Sequence, residues 1–266
     1  MASGQPYTVK MSQEEILFLS TKLRIPLMFG VDLKMLDLPK EDLQAIMESA
    51  ERVLVAKDFV RPSTDGSLRL APVLTAIVVT CAKPERTVMV TRTQPSHIPN
   101  SLMFHISMET IVNHSVSEAG THTFVLIPEI KSVLESLLAL SQAASFANPK
   151  CPTASLPESV YIQANQFAQT NNPGSLYSLL AEHLPEQTAV GFHQTLDRYS
   201  ASVNVVRMRH AENPEDTTSD GFTLLQGGEI QWLLRTSGAN PERTISLEGV
   251  GLKEVRREIR QMLKGK

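Results

Sequence analysis

Cysteine is nearly missing from this chain: Cys81 and Cys151 are the only two in 266 residues. Two are too few for a disulfide framework or a zinc ribbon, so both read as free thiols in a reducing compartment. Long apolar runs are missing as well; none approaches the roughly 20 residues that cross a bilayer. The opening Met-Ala-Ser-Gly-Gln-Pro-Tyr lacks the charged-then-apolar profile of a secretory signal, which predicts a cytoplasmic protein. There is no excess of either charge. With 25 Lys and Arg against 28 Asp and Glu the net charge is −3, and the pI is about 6.2. That supplies no field to gather nucleic acid or an anionic membrane.

Catalytic motifs are equally scarce. There is no Gly-x-Ser-x-Gly elbow, no Gly-x-x-x-x-Gly-Lys and no Gly-x-Gly-x-x-Gly. Cys81 sits in an apolar stretch, where a thiol is inert. Glu14-Glu15 and Glu41-Asp42 fall in helix first turns, which the macrodipole already explains. Gly227-Gly228 reads as a hairpin turn. No enzyme, catalytic residue, cofactor or metal is therefore expected, and a hydrolase without a recognisable motif is kept as an alternative.

What the chain does have is enough apolar residue, 42%, to bury a substantial core, and a plan used twice. Ser12 and Glu15 form a capping box opening a helix that Pro26 ends. Pro39 to Lys57 carries Leu43, Ile46, Met47, Ala50, Val53 and Leu54 at helical spacing. Phe59-Val-Arg, a turn at Asp65-Gly66 and Ser67-Leu-Arg-Leu70 read as a β-wing, and Pro72 to Ala82 as a buried helix. Strands follow: Thr87 to Thr93, Leu102 to Ser107, then a hairpin of 110–117 and 121–127 turning at Ala119-Gly120. An amphipathic helix over 129–140 closes the set. The second half repeats it: helical segments 158–171 and 174–196, strands from Ser202, 222–225, 230–235 and 243–247, and an amphipathic helix 252–263. These spans predict an α+β fold, a pseudo-twofold duplicated unit with a central, mostly antiparallel sheet and helical bundles beside it. Residues 1–140 and 158–266 are the two halves of one compact domain, and the Ser/Ala/Pro-rich 141–157 is the linker.

His105, His114 and His122 fall on neighbouring strands. A two-residue turn at Met108-Glu109 would put His105 and His114 on one face, and a register shifted by one would part them. Burial of Leu102, Phe104 and Ile106 with Val112 and Val116 favours the shifted register, His122 is displaced in parity, and no carboxylate joins them. Structural histidines are expected, without metal.

The wing, with Arg61 and Arg69, suggests a winged-helix DNA-binding regulator as the principal rival. The helix before it sets Lys40, Arg52 and Lys57 against Glu41, Asp42, Glu48 and Glu51, a balance that argues against a DNA reader. The last helix carries Lys253, Arg256, Arg257, Arg260 and Lys264 opposite its apolar side, which is the pattern of a solvated face.

Four segments carry a family resemblance: the opening helix with Leu17-Phe-Leu-Ser-Thr-Lys-Leu23 and Pro26-Leu27; Ala50-Glu-Arg-Val-Leu54 running into Val60-Arg and Asp65-Gly-Ser-Leu68; the apolar helix ending at Ala82-Lys-Pro84; and Gly228-Glu-Ile-Gln-Trp232 before the last strand and helix. Together they resemble the EspG family, cytosolic chaperones of type VII (ESX) secretion systems. The resemblance implies a helical-hairpin partner, a PE–PPE-like heterodimer, held soluble before export; a relative serving other helical-hairpin substrates is the alternative. Neither nucleic acid nor membrane is an expected partner, and a homodimer stays open. In the matching loop, between the first two strands of the first set, Pro95, His97, Ile98 and Pro99 are the expected partner contacts. The two prolines lower the entropy cost of ordering the loop and Ile98 offers one apolar anchor. An ordinary Pro-rich connection is the alternative.

Overall fold

The computed structural model describes residues 7–28, 31–63, 67–108, 110–146, 153–211, 213–239 and 242–264. Helix formation begins where the sequence signals it. Ser12 Oγ accepts from the Glu15 N–H at 3.3 Å while the Glu15 carboxylate accepts from the Ser12 N–H at 2.8 Å. This opens α1 (Gln13–Leu23), which Arg24 ends in the left-handed region. A short strand, β1 (Thr8–Met11), precedes it. Next come α2 (Lys40–Ala56), the hairpin β2 (Val60–Pro62) and β3 (Leu68–Leu70), and the apolar helix α3 (Pro72–Ala82). The strands β4 (Arg86–Thr93), β5 (Asn100–Ser107), β6 (Thr110–Val116) and β7 (His122–Ile127) then lead to helix α4 (Ile130–Ser141). The predicted turn at Asp65-Gly66 lies outside the described residues.

The same order follows again. Strand β8 (Ala154–Pro157) leads into α5 (Glu158–Gln169), α6 (Pro173–His183) and α7 (Glu186–Asp197). Then come β9 (Tyr199–Arg209), β10 (Thr218–Gly227), β11 (Ile230–Ser237), β12 (Thr244–Gly249) and helix α8 (Leu252–Leu263). One strand, three helices, four strands and a helix thus occur twice, the first copy with β2–β3 inserted. The strand order repeats too: β1–β7–β6–β5 in one copy and β8–β12–β11–β10 in the other, with antiparallel pairing. The fold is α+β with the duplicated, antiparallel plan expected from the sequence. Strands β1 and β8 were not expected; β8 falls in the predicted linker, where Leu156 pairs with Ile245 and is buried.

The contacts divide the chain into two compact units. The first is Met1–Thr87, Leu102–Ile130 and Met208–Thr218; the second is Val88–Ser101, Lys131–Arg207 and Ser219–Lys266. In the first, Ile16, Phe18 and Leu19 of α1, Leu54 of α2 and Leu74 and Ile77 of α3 close over Val112 and Phe124. In the second, Trp232 is fully buried with Leu176, Leu180, Phe192 and Leu247. Its indole N–H donates to Thr195 Oγ1 at 3.0 Å, which removes the cost of burying that donor. Gly227 is required for the approach of α7: a Cβ there would lie 2.2 Å from the Thr195 carbonyl. Gly228, with φ 61°, takes the turn itself.

One expectation fails here. Ser107 pairs with Thr110 and His105 with Val112, so the turn has two residues and the unshifted register holds. His105 and His114 share a face, and His122, opposite Val116, joins them. The shifted register was favoured on the assumption that only one face of β5 is buried. Both are: Phe104 and Ile106 on one side, Met103 and His105 on the other.

Candidate partner-docking site

The loop between β4 and β5 is built on a β-turn. The His97 N–H donates to the Gln94 carbonyl at 3.3 Å, with Pro95 second and Ser96 third at φ 59°. Proline at the second position and positive φ at the third define a type II turn. That third position favours glycine, so Ser96 stores a small strain there. His97 Nδ1 lies 2.8 Å from the Pro95 carbonyl; a carbonyl only accepts, so Nδ1 carries the proton and the ring braces the turn. Beyond it Ile98 is 77% exposed, and Pro95 to Asn100 are all exposed. A braced turn thus displays a single large apolar side chain, with Pro95, His97, Ile98 and Pro99 together in one loop.

The stem beneath is tied into a buried polar network. Arg92 is buried and donates to Gln226 Oε1 and to Gln142 Oε1, each at 2.8 Å. Gln226 in turn donates to the Ser141 carbonyl and to Gln231 Oε1, each at 2.6 Å. Burial lowers the Arg92 pKa from its ordinary value, with the Tyr199 phenol opposing; the guanidinium stays charged. At the loop's base the Thr93 carbonyl accepts from the Tyr199 hydroxyl at 3.4 Å, and that hydroxyl also reaches Ser202 Oγ at 3.2 Å.

Tyr199 connects the loop to a groove. Tyr161 and Asn165 of α5, Asp197 at the end of α7, Ser202 and Asn204 of β9 and Thr223 of β10 line an open pocket of about 530 Å³. Thr223 Oγ1 donates to Asn204 Oδ1 at 2.8 Å, and burial raises the Tyr161 pKa. The lining is neutral apart from Asp197. Tyrosine, asparagine and serine of this kind give large contact area and adaptable hydrogen bonds, which suits a polypeptide better than a charged metabolite. These residues were not singled out in the sequence, because four separate elements bring them together. The one readable signal was β9, where Ser200, Ser202 and Asn204 alternate with buried Ala201, Val203 and Val205.

Among the described residues no group of three or more His, Cys, Asp and Glu is arranged to hold a metal ion, and no helix is long and apolar enough to cross a membrane. No protein-family model matches the sequence, and no curated protein matches it. A solved structure does match. It is the Mycobacterium tuberculosis type VII secretion system chaperone EspG5 in complex with the PE25–PPE41 dimer, with a TM-score of 0.66 over 97% of this chain and 96% of that chain.

The chain has the EspG5 fold.

Sequence identity to EspG5 is 12%, so what the two demonstrably share is architecture. The family resemblance seen in the sequence is borne out at that level.

Proposed function

We propose that this chain is an EspG-like, non-enzymatic chaperone of a type VII secretion system. It acts in the cytoplasm and holds a helical-hairpin, PE–PPE-like heterodimer soluble until export. The observation that carries the reading is the near-complete fold match to EspG5, a chaperone whose structure was solved bound to such a dimer. The partner's exposed apolar tip docks on the loop 94–100, with Ile98 as the anchor and the Tyr199–Asn204 groove as the polar surround. A central apolar anchor ringed by adaptable polar contacts is the usual anatomy of a protein interface. Duplication of the plan in 1–140 and 158–266 supplies the scaffold, and the Tyr199–Asn204 groove belongs to the second unit.

Co-expression with a PE–PPE pair from the same genome tests the proposal. A soluble complex that co-purifies through size exclusion is expected. If the pair stays insoluble, or elutes apart from this chain, the chaperone reading fails.

A further inference from the structure

Inside the first unit a row of imidazoles crosses three strands. His105 Nε2 lies 3.4 Å from His114 Nδ1, and His114 Nε2 lies 2.9 Å from His122 Nδ1. At the β5 end His105 Nδ1 lies 3.1 Å from Thr87 Oγ1, which lies 2.9 Å from His210 Nε2. The three inner rings are 3%, 1% and 0% exposed in that order. His210 is exposed and, with His105, lines a pocket of about 260 Å³. The row therefore runs from solvent to a dead end: His122 Nε2 is buried with no hydrogen-bond partner among the described residues.

Tautomers in such a row are not independent. A neutral imidazole has one N–H and one bare nitrogen, and the inner rings use both. Either every ring carries its proton on Nδ1, with His122 donating to His114, His114 to His105 and His105 to Thr87, or every ring carries it on Nε2 and the direction reverses. The first arrangement leaves a bare nitrogen at the dead end, the second a buried unpaired N–H, the rarer and costlier outcome. In the first arrangement an extra proton on His105 or His114 sets donor against donor at a ring-to-ring contact. An extra proton on His122 creates a buried cation with no acceptor among the described residues.

The neighbouring charges give no relief. On α3 the titratable group is Cys81, whose thiol burial pushes well above its usual range. On α1, Glu15 is held by Lys57 at 2.7 Å and by the Ser12 N–H. The Lys10 carbonyl on β1 receives the same Lys57 at 3.3 Å, and at the β4 end Glu85 lies 3.6 Å from Arg86. Arg209, the last residue of β9, adjoins His210. Burial, with His210 adding to it, holds His105 down to about 4. Burial, then His105 and His122, holds His114 down to about 3. Burial also lowers His122 and His210.

We infer that the row is an acid-sensitive latch: neutral, it ties β5, β6 and β7 in register, and a proton entering at His210 breaks a ring-to-ring bond and frees the strands. Because these pKa values are lowered in the folded state, the opened chain binds more protons at low pH. The stability is therefore complete above the free-histidine value of about 6.5 and is lost as pH falls below it. At pH 5 each ring held at 4 or lower raises the opening constant roughly 30-fold, so His105 and His114 together give nearly 10³-fold.

The test is side-chain ¹⁵N NMR and amide exchange on the full chain from pH 7.5 to 5. The expected result has two parts: one shared neutral tautomer for the three inner histidines, and protection factors in β5–β7 that fall nearly 10³-fold. Strands β10–β12, which contain no histidine, should change far less. Histidines that titrate near 6.5 in the folded protein, mixed tautomers, or equal losses in both sets of strands would overturn the latch. His114→Asn, which cannot take a proton, should flatten the β5–β7 response by roughly 30-fold. If that variant does not fold, the wild-type measurement decides alone.

Discussion

The two units use one strand order and put opposite things between sheet and helices. In the first, Thr87 of β4, His105 of β5, His114 of β6 and His122 of β7 fill the space with a buried row of hydrogen-bonded side chains. In the second, Ser202 and Asn204 of β9 and Thr223 of β10 face an open groove, while the buried polar groups are pooled in the Arg92–Gln226–Gln231 network. The same architecture thus supports a buried polar row that meets solvent at one end in one place and a surface for adaptable contacts in the other.

The largest effect that would sharpen this contrast is removal of the second unit's central side chain. Trp232→Ala leaves a cavity beside Phe192, whose ring centroid is 5.5 Å away, and removes the donor to the Thr195 hydroxyl, which keeps its carbonyl acceptors. A loss of about 3–5 kcal/mol in urea unfolding is expected; a loss under 1 kcal/mol would mean that the core cluster is not what holds this unit. Next comes Arg92→Met, which leaves Gln226 and Gln142 without their donor. It should cost about 2–3 kcal/mol and raise amide exchange in the loop 94–100, because the stem loosens. If exchange there is unaltered, the network does not support the loop. Smaller again is Ser12→Ala in the first unit, which removes the N-cap of α1. About 1 kcal/mol is expected by thermal unfolding, with the acid response of β5–β7 retained, since Ser12 is not part of the row.

How far these features could be read in advance depended on their span. The capping box of Ser12 and Glu15 and the turns at Gly120 and Gly228 are signals contained within a few residues and appear as read, while the helix from Pro72 forms but is buried along one side only, leaving Val79 exposed. The edge strands β1 and β8 were not legible: four residues each, one of them in a Ser/Ala/Pro-rich stretch, give too little alternation to stand out. The register of β5 against β6 was misread because apolar alternation cannot say which face is buried when both are. Within the site, Pro95, His97, Ile98 and Pro99 were readable as one loop. The bond from the Tyr199 hydroxyl to the Thr93 carbonyl, and the groove it opens onto, joins residues 106 positions apart, and no local pattern encodes that.

The central claim is that partner capture runs through the second unit's loop and groove. Its most direct test is a calorimetric titration of the PE–PPE heterodimer into wild type, Ile98→Asp and Val79→Asp. Val79, on α3 of the first unit, is 57% exposed, so both variants place the same new charge in solvent and should each shift unfolding by no more than about 0.5 kcal/mol. The account predicts a one-to-one complex for wild type and Val79→Asp, and a loss of about 2 kcal/mol or more, roughly 30-fold in Kd, for Ile98→Asp. Equal binding by Ile98→Asp and wild type, or no binding by any of the three, would contradict it.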